Sequence, residues 1–466
     1  MNYLVYMLAF ILILGAAVVI HEFGHFIVAK LFKIRVETFS VGFGPRLFGR
    51  RWGQTDYRVS AIPLGGYVKL GGDESNAPIE GAGATDIPPE EQFNLRPSWQ
   101  KILVALAGPV MNILTALTIP FVGALMFGVP ATPPPVVSRV SPGGAAEVAG
   151  LKPGDRIVSF NGAENPTWRR ITGDAALSPE QPLPMVIERN GERVSLTIKP
   201  TRRKEGTETI GDLDLQPDFG TVPVILLSIE PNTPAEEAGL KAGDRVIAIN
   251  GTPVGNSEQL VQYVREHKGE PIRLTVARDG EQREVTAATR RLADGTERLG
   301  IKPADDLPRE PAGVASAAAY SINTNLDILR LTGKALGQLF TGQRSARDTI
   351  SGPIGIARAS STAVREAGLG GAFAMLAFLS LSLGIFNLLP IPVLDGGAIF
   401  LLLLEGALGL VGLTLSVNVR ERIQQVGFVM VLLLMVLVIT NDLMKEAANF
   451  RGGTNDNKPA ASEPAK

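Results

Sequence analysis

The sequence predicts a polytopic α-helical membrane protein: four transmembrane helices, a cytoplasmic-side β-hairpin and two small α+β domains inserted on the outer side of the membrane. Three observations carry that prediction. Apolar stretches of span length lie near both ends of the chain. The 466 residues are too many for one ordinary domain. A glycine-containing segment recurs in the middle of the chain.

Composition narrows the function classes. Hydrophobic residues make up 45% of the chain and the net charge is −1. No dense basic block is present, which argues against a nucleic-acid partner. There are no cysteines, so disulfides, a thiol nucleophile and a thiolate-bound metal are excluded. A metal would need His, Asp or Glu, and the chain has three histidines.

The first span is read at about Tyr3–Ile20, continuing as helix through His25. A secretory signal peptide competes for this segment, and Gly15-Ala16-Ala17 could mimic its cleavage site. Met1-Asn2-Tyr3 lacks the basic side chain that such a peptide needs, and the length suits an uncleaved anchor. Lys30, Lys33, Arg35, Arg46, Arg50, Arg51, Arg58 and Lys69 follow, so this stretch reads as cytoplasmic. Within it, Asp56–Ile62 and Tyr67–Leu70 read as a hairpin closed by Pro63-Leu-Gly-Gly66. Gly42-Phe-Gly44 lacks the spacing of a dinucleotide loop. Trp52 and Trp99 fit interface anchors. The second span is Ile102–Gly128, and residues 1–128 form the N-terminal membrane part.

The repeat comes next. Gly150-Leu-Lys-Pro-Gly-Asp-Arg156 returns as Gly239-Leu-Lys-Ala-Gly-Asp-Arg245, each followed by a strand and an Asn-Gly turn at Gly162 and Gly251. Asn-Gly closes a hairpin because both positions tolerate positive φ. Upstream, Val136–Pro142 matches Ile225–Pro231. The pattern resembles the PDZ domain twice in tandem, at 129–205 and 220–305, entered through the stiff Pro130–Pro135 linker. PDZ modules bind a chain end or extended peptide at a sheet edge. Residues 306–370 read as a linker with helices of amphipathic spacing on the outer membrane surface.

Residues 371–450 form the C-terminal membrane part. Gly371–Leu404 carries one charge, Asp395, and is interrupted by Pro390 and Pro392. Irregular backbone at membrane depth survives only against protein or a water-filled cavity. The fourth span, about Val426–Thr440, follows Arg420 and Arg422, which place its start on the cytoplasmic side. Residues 451–466 are polar and read as disordered.

The chemistry concentrates in His21-Glu22-Phe23-Gly24-His25, an H-E-x-x-H run at a span boundary. On a helix His21 and His25 share one face and can reach one ion. An ion there acidifies water, and Glu22 can take the proton and pass it to the leaving amine. The bland alternative is a pair of interfacial histidines that bind nothing. A third ligand is needed. His267 lies in the charged run Arg265-Glu-His-Lys268, so a carboxylate must serve, and Asp395 fits. Its alternative role is a helix N-cap.

H-E-F-G-H in the first span, Asn387-Leu-Leu-Pro-Ile-Pro-Val-Leu-Asp-Gly396, Ala107-Gly-Pro-Val-Met-Asn112, Ser351-Gly-Pro-Ile-Gly-Ile356 and the two PDZ-like repeats together resemble the site-two protease family of intramembrane zinc metalloproteases, in its bacterial branch with two PDZ copies. The resemblance implies Zn2+ held by His21, His25 and Asp395, with Glu22 as base. It implies that Asn387 helps hold substrate; an ordinary interhelical hydrogen bond explains Asn387 equally well. It implies a multi-pass protein of the bacterial inner membrane, with periplasmic PDZ domains and the active site near the cytoplasmic side. The implied substrates are single-span membrane proteins of the anti-sigma-factor type, already trimmed outside, with release of a cytoplasmic fragment in an envelope-stress response. A helical substrate must unwind before it is cut, and one edge of the hairpin, at Tyr67 and Val68, is a candidate to receive it as an added strand; an ordinary cytoplasmic hairpin is the alternative. The PDZ pair either recruits a newly exposed C-terminus or filters out bulky substrates. Two rival classes are a non-catalytic membrane-anchored PDZ scaffold, which has no need of His21, Glu22, His25 and Asp395, and a metal transporter, which would want polar residues along several spans.

Overall fold

The computed structural model describes residues 2–455 except 74–85, 133, 206–207, 219, 292–296, 345–351, 411 and 414–415. Residues 456–466, most of the segment expected to be disordered, and Ser351 lie outside the described residues.

Helix α1 spans Asn2–Leu31. Its buried positions Phe10, Ile13, Ala17, His21 and Gly24 recur every three or four residues, which makes one stripe down the helix. That stripe packs against α2 (Ser98–Phe127) and, further along the chain, against α8 (Pro353–Asn387). Between α1 and α2, strand β1 (Val36–Trp52) pairs with β2 (Thr55–Leu70). The pairing corrects the expected hairpin. Asp56–Ile62 and Tyr67–Leu70 are parts of one long strand and do not pair with each other. Thr38–Val41 lies between them, opposite 66–69 on one side and 56–59 on the other, and the tight turn is at Gly53-Gln54. Ala29, Ile34, Val36, Leu70 and Val104 form the core that fixes this sheet to α1 and α2.

Each repeat builds its own core. The first contains the one-turn helix α3 (Ala145–Val148) and α4 (Trp168–Ala176), packed around Phe160, Ile171, Met185 and Ile187. The second contains α5 (Pro234–Glu237) and α6 (Ser257–Glu266), packed around Leu226, Leu260, Leu274 and Val276. The Asn-Gly turns form as expected: Asn161, Gly162, Asn250 and Gly251 all have positive φ. The shared Gly-Asp-Arg signature has a structural reason. Asp155 and Asp244 are buried; each accepts the backbone N–H of the lysine three residues earlier and a two-pronged bond from Arg189 or Arg278. Burial alone would raise both carboxyl pKa values, and the guanidinium partners hold them below the ordinary range.

Helix α7 (Val314–Phe340) returns the chain to the membrane part and packs on α2. Pro120 inside α2 has no N–H for the carbonyl of Ala116. Asn325 Nδ2 of α7 donates to that carbonyl at 3.1 Å, and Ser321 Oγ donates to the Leu117 carbonyl at 2.6 Å. Helix α7 therefore docks at the turn where the proline leaves the Ala116 carbonyl without its helical donor. On its other side, Arg330 and Lys334 reach Asp174 of α4, a fully buried carboxylate that Arg170 also bonds.

Helix α8 starts well before the third span expected near Ala372 and is kinked at Gly368. It stops at Asn387, ahead of Pro390 and Pro392. Helix α9 (Asp395–Leu410) begins after the break, where Val393 has φ +86°. Helix α10 (Val417–Asn455) follows. Its Asp442 accepts the N–H groups of Gly352 and Ile354 at 2.9 Å each, capping the start of α8. Among the described residues, four helical stretches are long and apolar enough to cross a membrane: Met7–Leu31, Ser98–Phe127, Pro353–Asn387 and Arg422–Lys445.

Candidate metal centre

Three broken or crossing elements bring the site together. Helix α1 presents His21 and His25 one turn apart. Helix α2 crosses α1 at Gly24 and Gly108, where a Cβ at Gly24 would strike the Ala107 carbonyl and one at Gly108 would strike both histidine rings. The break after α8 then delivers Asp395. Gly396 and Gly397 let the first turn of α9 lie directly on the carbonyls of Leu388 and Ile391.

His21 Nε2 is 3.0 Å from Asp395 Oδ2, and His25 Nε2 is 3.6 Å from Asp395 Oδ1. The two Nε2 atoms are 3.2 Å apart, and one donor atom from each of the three residues lies within 4.8 Å of the others. Asp395 Oδ2 is buried and accepts no hydrogen bond despite that short distance. Two imidazole nitrogens and an unsatisfied carboxylate oxygen aimed at one point are the donor set of a divalent ion, so the residues fit a metal. Behind the ligands, His25 Nδ1 donates to the Val104 carbonyl at 2.7 Å. Behind His21 stands Asn112, fully buried, with Nδ2 3.2 Å from Nδ1.

The remaining expected residues fall around this centre. Glu22 lies beside His21, His25 and Asp395, and the backbone N–H of Val68 bonds its carboxylate. Asn387 Nδ2 stands 3.3 Å from His21 Nε2. Tyr67 is buried, its ring stacked on Phe43 and covered by the Arg58 guanidinium; only its backbone is placed to meet another chain. His267 sits far along the sequence, stacked on Tyr263 and bonded to the Tyr263 carbonyl. Asn112, the last residue of the Ala107–Asn112 run that carries the resemblance, received no role from the sequence. A lone asparagine in an uncharged span was the available signal.

Two histidines and an aspartate that fit a divalent ion, set among helices long and apolar enough to cross a membrane and with a glutamate beside them, are the arrangement of a membrane-embedded metalloprotease. The chain belongs to Peptidase family M50, whose model matches residues 9–434. It is 31% identical to the regulator of sigma-E protease RseP of Salmonella typhimurium and to that of Escherichia coli, each match covering 94% of this chain and 98% of the relative. A Pasteurella multocida relative, 31% identical over 96% of this chain and all of its own length, carries zinc metalloprotease in its name.

Proposed function

We propose that His21, His25 and Asp395 hold a zinc ion, and that the chain cuts single-span membrane proteins of the anti-sigma-factor type within the inner membrane. The convergence of three donor atoms on one point, one of them a buried oxygen without a hydrogen bond, carries this reading. Zinc supplies acidified water and polarises a carbonyl. Glu22 holds and moves the proton, and the Val68 N–H keeps its carboxylate turned toward the sheet. Asn387, in the last turn of α8, offers an amide donor to a peptide carbonyl drawn into the site.

The relatives named regulators of sigma-E support a substrate that acts in sigma-E regulation. Basic residues around β1 and β2 support a cytoplasmic location for the site, with the two PDZ-like modules on the periplasmic side. In the second module, Ile301–Asp305 ends the sheet, which leaves one edge for a peptide to join.

Metal content of the purified full-length chain, measured together with cleavage of a tagged single-span substrate, tests the ligand set. Asp395→Ala is expected to lose both. Full metal retention by that variant would remove Asp395 from the set, and a parent chain that bound no metal and cut nothing would leave the PDZ scaffold reading.

Residues 66–70 form the side of the sheet that packs on α1, beyond Thr38–Val41, with the Val68 backbone N–H at the Glu22 carboxylate. An extended substrate laid on this edge would pass beside Glu22. Val68→Pro removes that N–H and is expected to stop cleavage while metal content stays at the parent level. Unchanged cleavage would reject the edge as the substrate track.

A further inference from the structure

Metal-ligating histidines need their second ring nitrogen fixed, because the proton carried there decides which nitrogen is bare for the ion. For His25 the arrangement is plain. Nδ1 donates to the Val104 carbonyl, which leaves Nε2 facing Asp395. For His21 it is not. Nε2 faces Asp395, His25 and Asn387, so Nε2 is the ligand atom and Nδ1 must carry the proton. The group against Nδ1 is Asn112, 3.2 Å away through Nδ2. A donor facing Nδ1 suits a ring whose proton sits on Nε2, which is the wrong tautomer for binding. Meanwhile Asn112 Oδ1 is buried and has no hydrogen-bond partner. A half-turn of the Asn112 amide exchanges the two atoms and answers both problems, because the oxygen then meets the Nδ1 proton.

We propose that Asn112 is a positioning residue of the metal centre: its side-chain oxygen accepts the Nδ1 proton of His21 and commits Nε2 to the ion. The surroundings support the assignment. Asn112 lies one turn from Gly108, which carries α2 against both histidine rings. A Cβ added at Gly384 of α8 would crowd the Asn112 Cβ at 3.3 Å, so α8 passes close to this turn of α2. The Gly-Pro-x-x-Asn run of α2 is thereby explained as one device: the glycine gives the approach, and the asparagine sets the tautomer.

This inference rests on the ligand set proposed above, and the experiment separates the two. The full-length chain in detergent is stripped of metal and titrated with zinc against a chromophoric chelator; cobalt(II) absorption reports the ligand geometry in parallel. Asn112→Leu, which keeps the bulk and removes the acceptor, is expected to weaken zinc binding by on the order of 10–100-fold and to alter the cobalt spectrum. Asn112→Asp, which keeps an oxygen at the same reach, is expected to bind within a few-fold of the parent. Should Asn112→Leu fail to fold, Asn112→Ser, too short to reach His21, takes its place with the same expected loss. Parent-like zinc affinity in the leucine or serine variant overturns the assignment, as does an equal loss in the aspartate variant. A His25→Ala control that binds zinc like the parent would instead overturn the ligand set.

Discussion

Glu22→Gln is expected to abolish cleavage and leave the metal in place. Glutamine keeps the length and shape of the side chain and can still accept the Val68 N–H through its oxygen. It cannot take up a proton. General acid–base catalysis by one group contributes roughly 10²–10⁴-fold, and here the same carboxylate would serve both the attack and the departure of the amine. A fall of about 10³-fold or more in turnover of a single-span substrate is therefore expected. Metal content, measured on the same preparation, stays at the parent level because Glu22 is not one of the three converging donors. The pairing of outcomes matters more than either alone. Loss of cleavage together with loss of metal would make Glu22 a ligand or a structural support, and turnover within about tenfold of the parent would remove it from the chemistry.

The convergence of His21, His25 and Asp395 was legible in the sequence for a local reason. Two histidines four residues apart on a helix must share a face, and a single carboxylate in a long uncharged stretch has to find a partner. The spans were legible by length alone. What was not legible depends on contacts between distant segments. The sheet beside α1 is one case. Its register is interrupted at several points, and Thr38–Val41 has partners on both sides; alternation within Asp56–Leu70 cannot reveal that. Asp155 and Arg189 are another, since the arginine that satisfies the repeat's aspartate stands in a different strand. Gly396 and Gly397 give no local sign that the first turn of α9 packs on the carbonyls of Leu388 and Ile391. Asn112 combines both difficulties. Its residue type was visible, but its partner on α1 was not.

Asp174→Asn is expected to release the first PDZ-like module from α7 without unfolding it. The carboxylate is fully buried, and three cations converge on it: Arg170 from its own helix, Arg330 and Lys334 from α7. Burial would push this carboxyl up, but the bonds from Arg330 and Lys334 hold it below the ordinary range. Its contribution is thus fully present above the usual aspartate pKa near ~4 and is lost only as pH falls through the depressed folded value. Docking should be constant across neutral pH and fail in acid. Asparagine removes the charge at every pH and leaves three cations facing one another, and breaking a buried pair in this way costs about 3–5 kcal/mol. Because α7 also supplies the donors for the Ala116 and Leu117 carbonyls, its release frees a segment bonded to the span that carries Asn112. Amide hydrogen exchange on the intact chain reads this directly. Exchange in α4 and in α7 between Ser321 and Lys334 should rise by on the order of 100-fold at pH 7 (about 2.7 kcal/mol of lost protection), while the module core at Ile157, Ile171 and Ile187 keeps its protection. Unchanged exchange in α7 would show that its packing on α2 holds it without the Asp174 clasp.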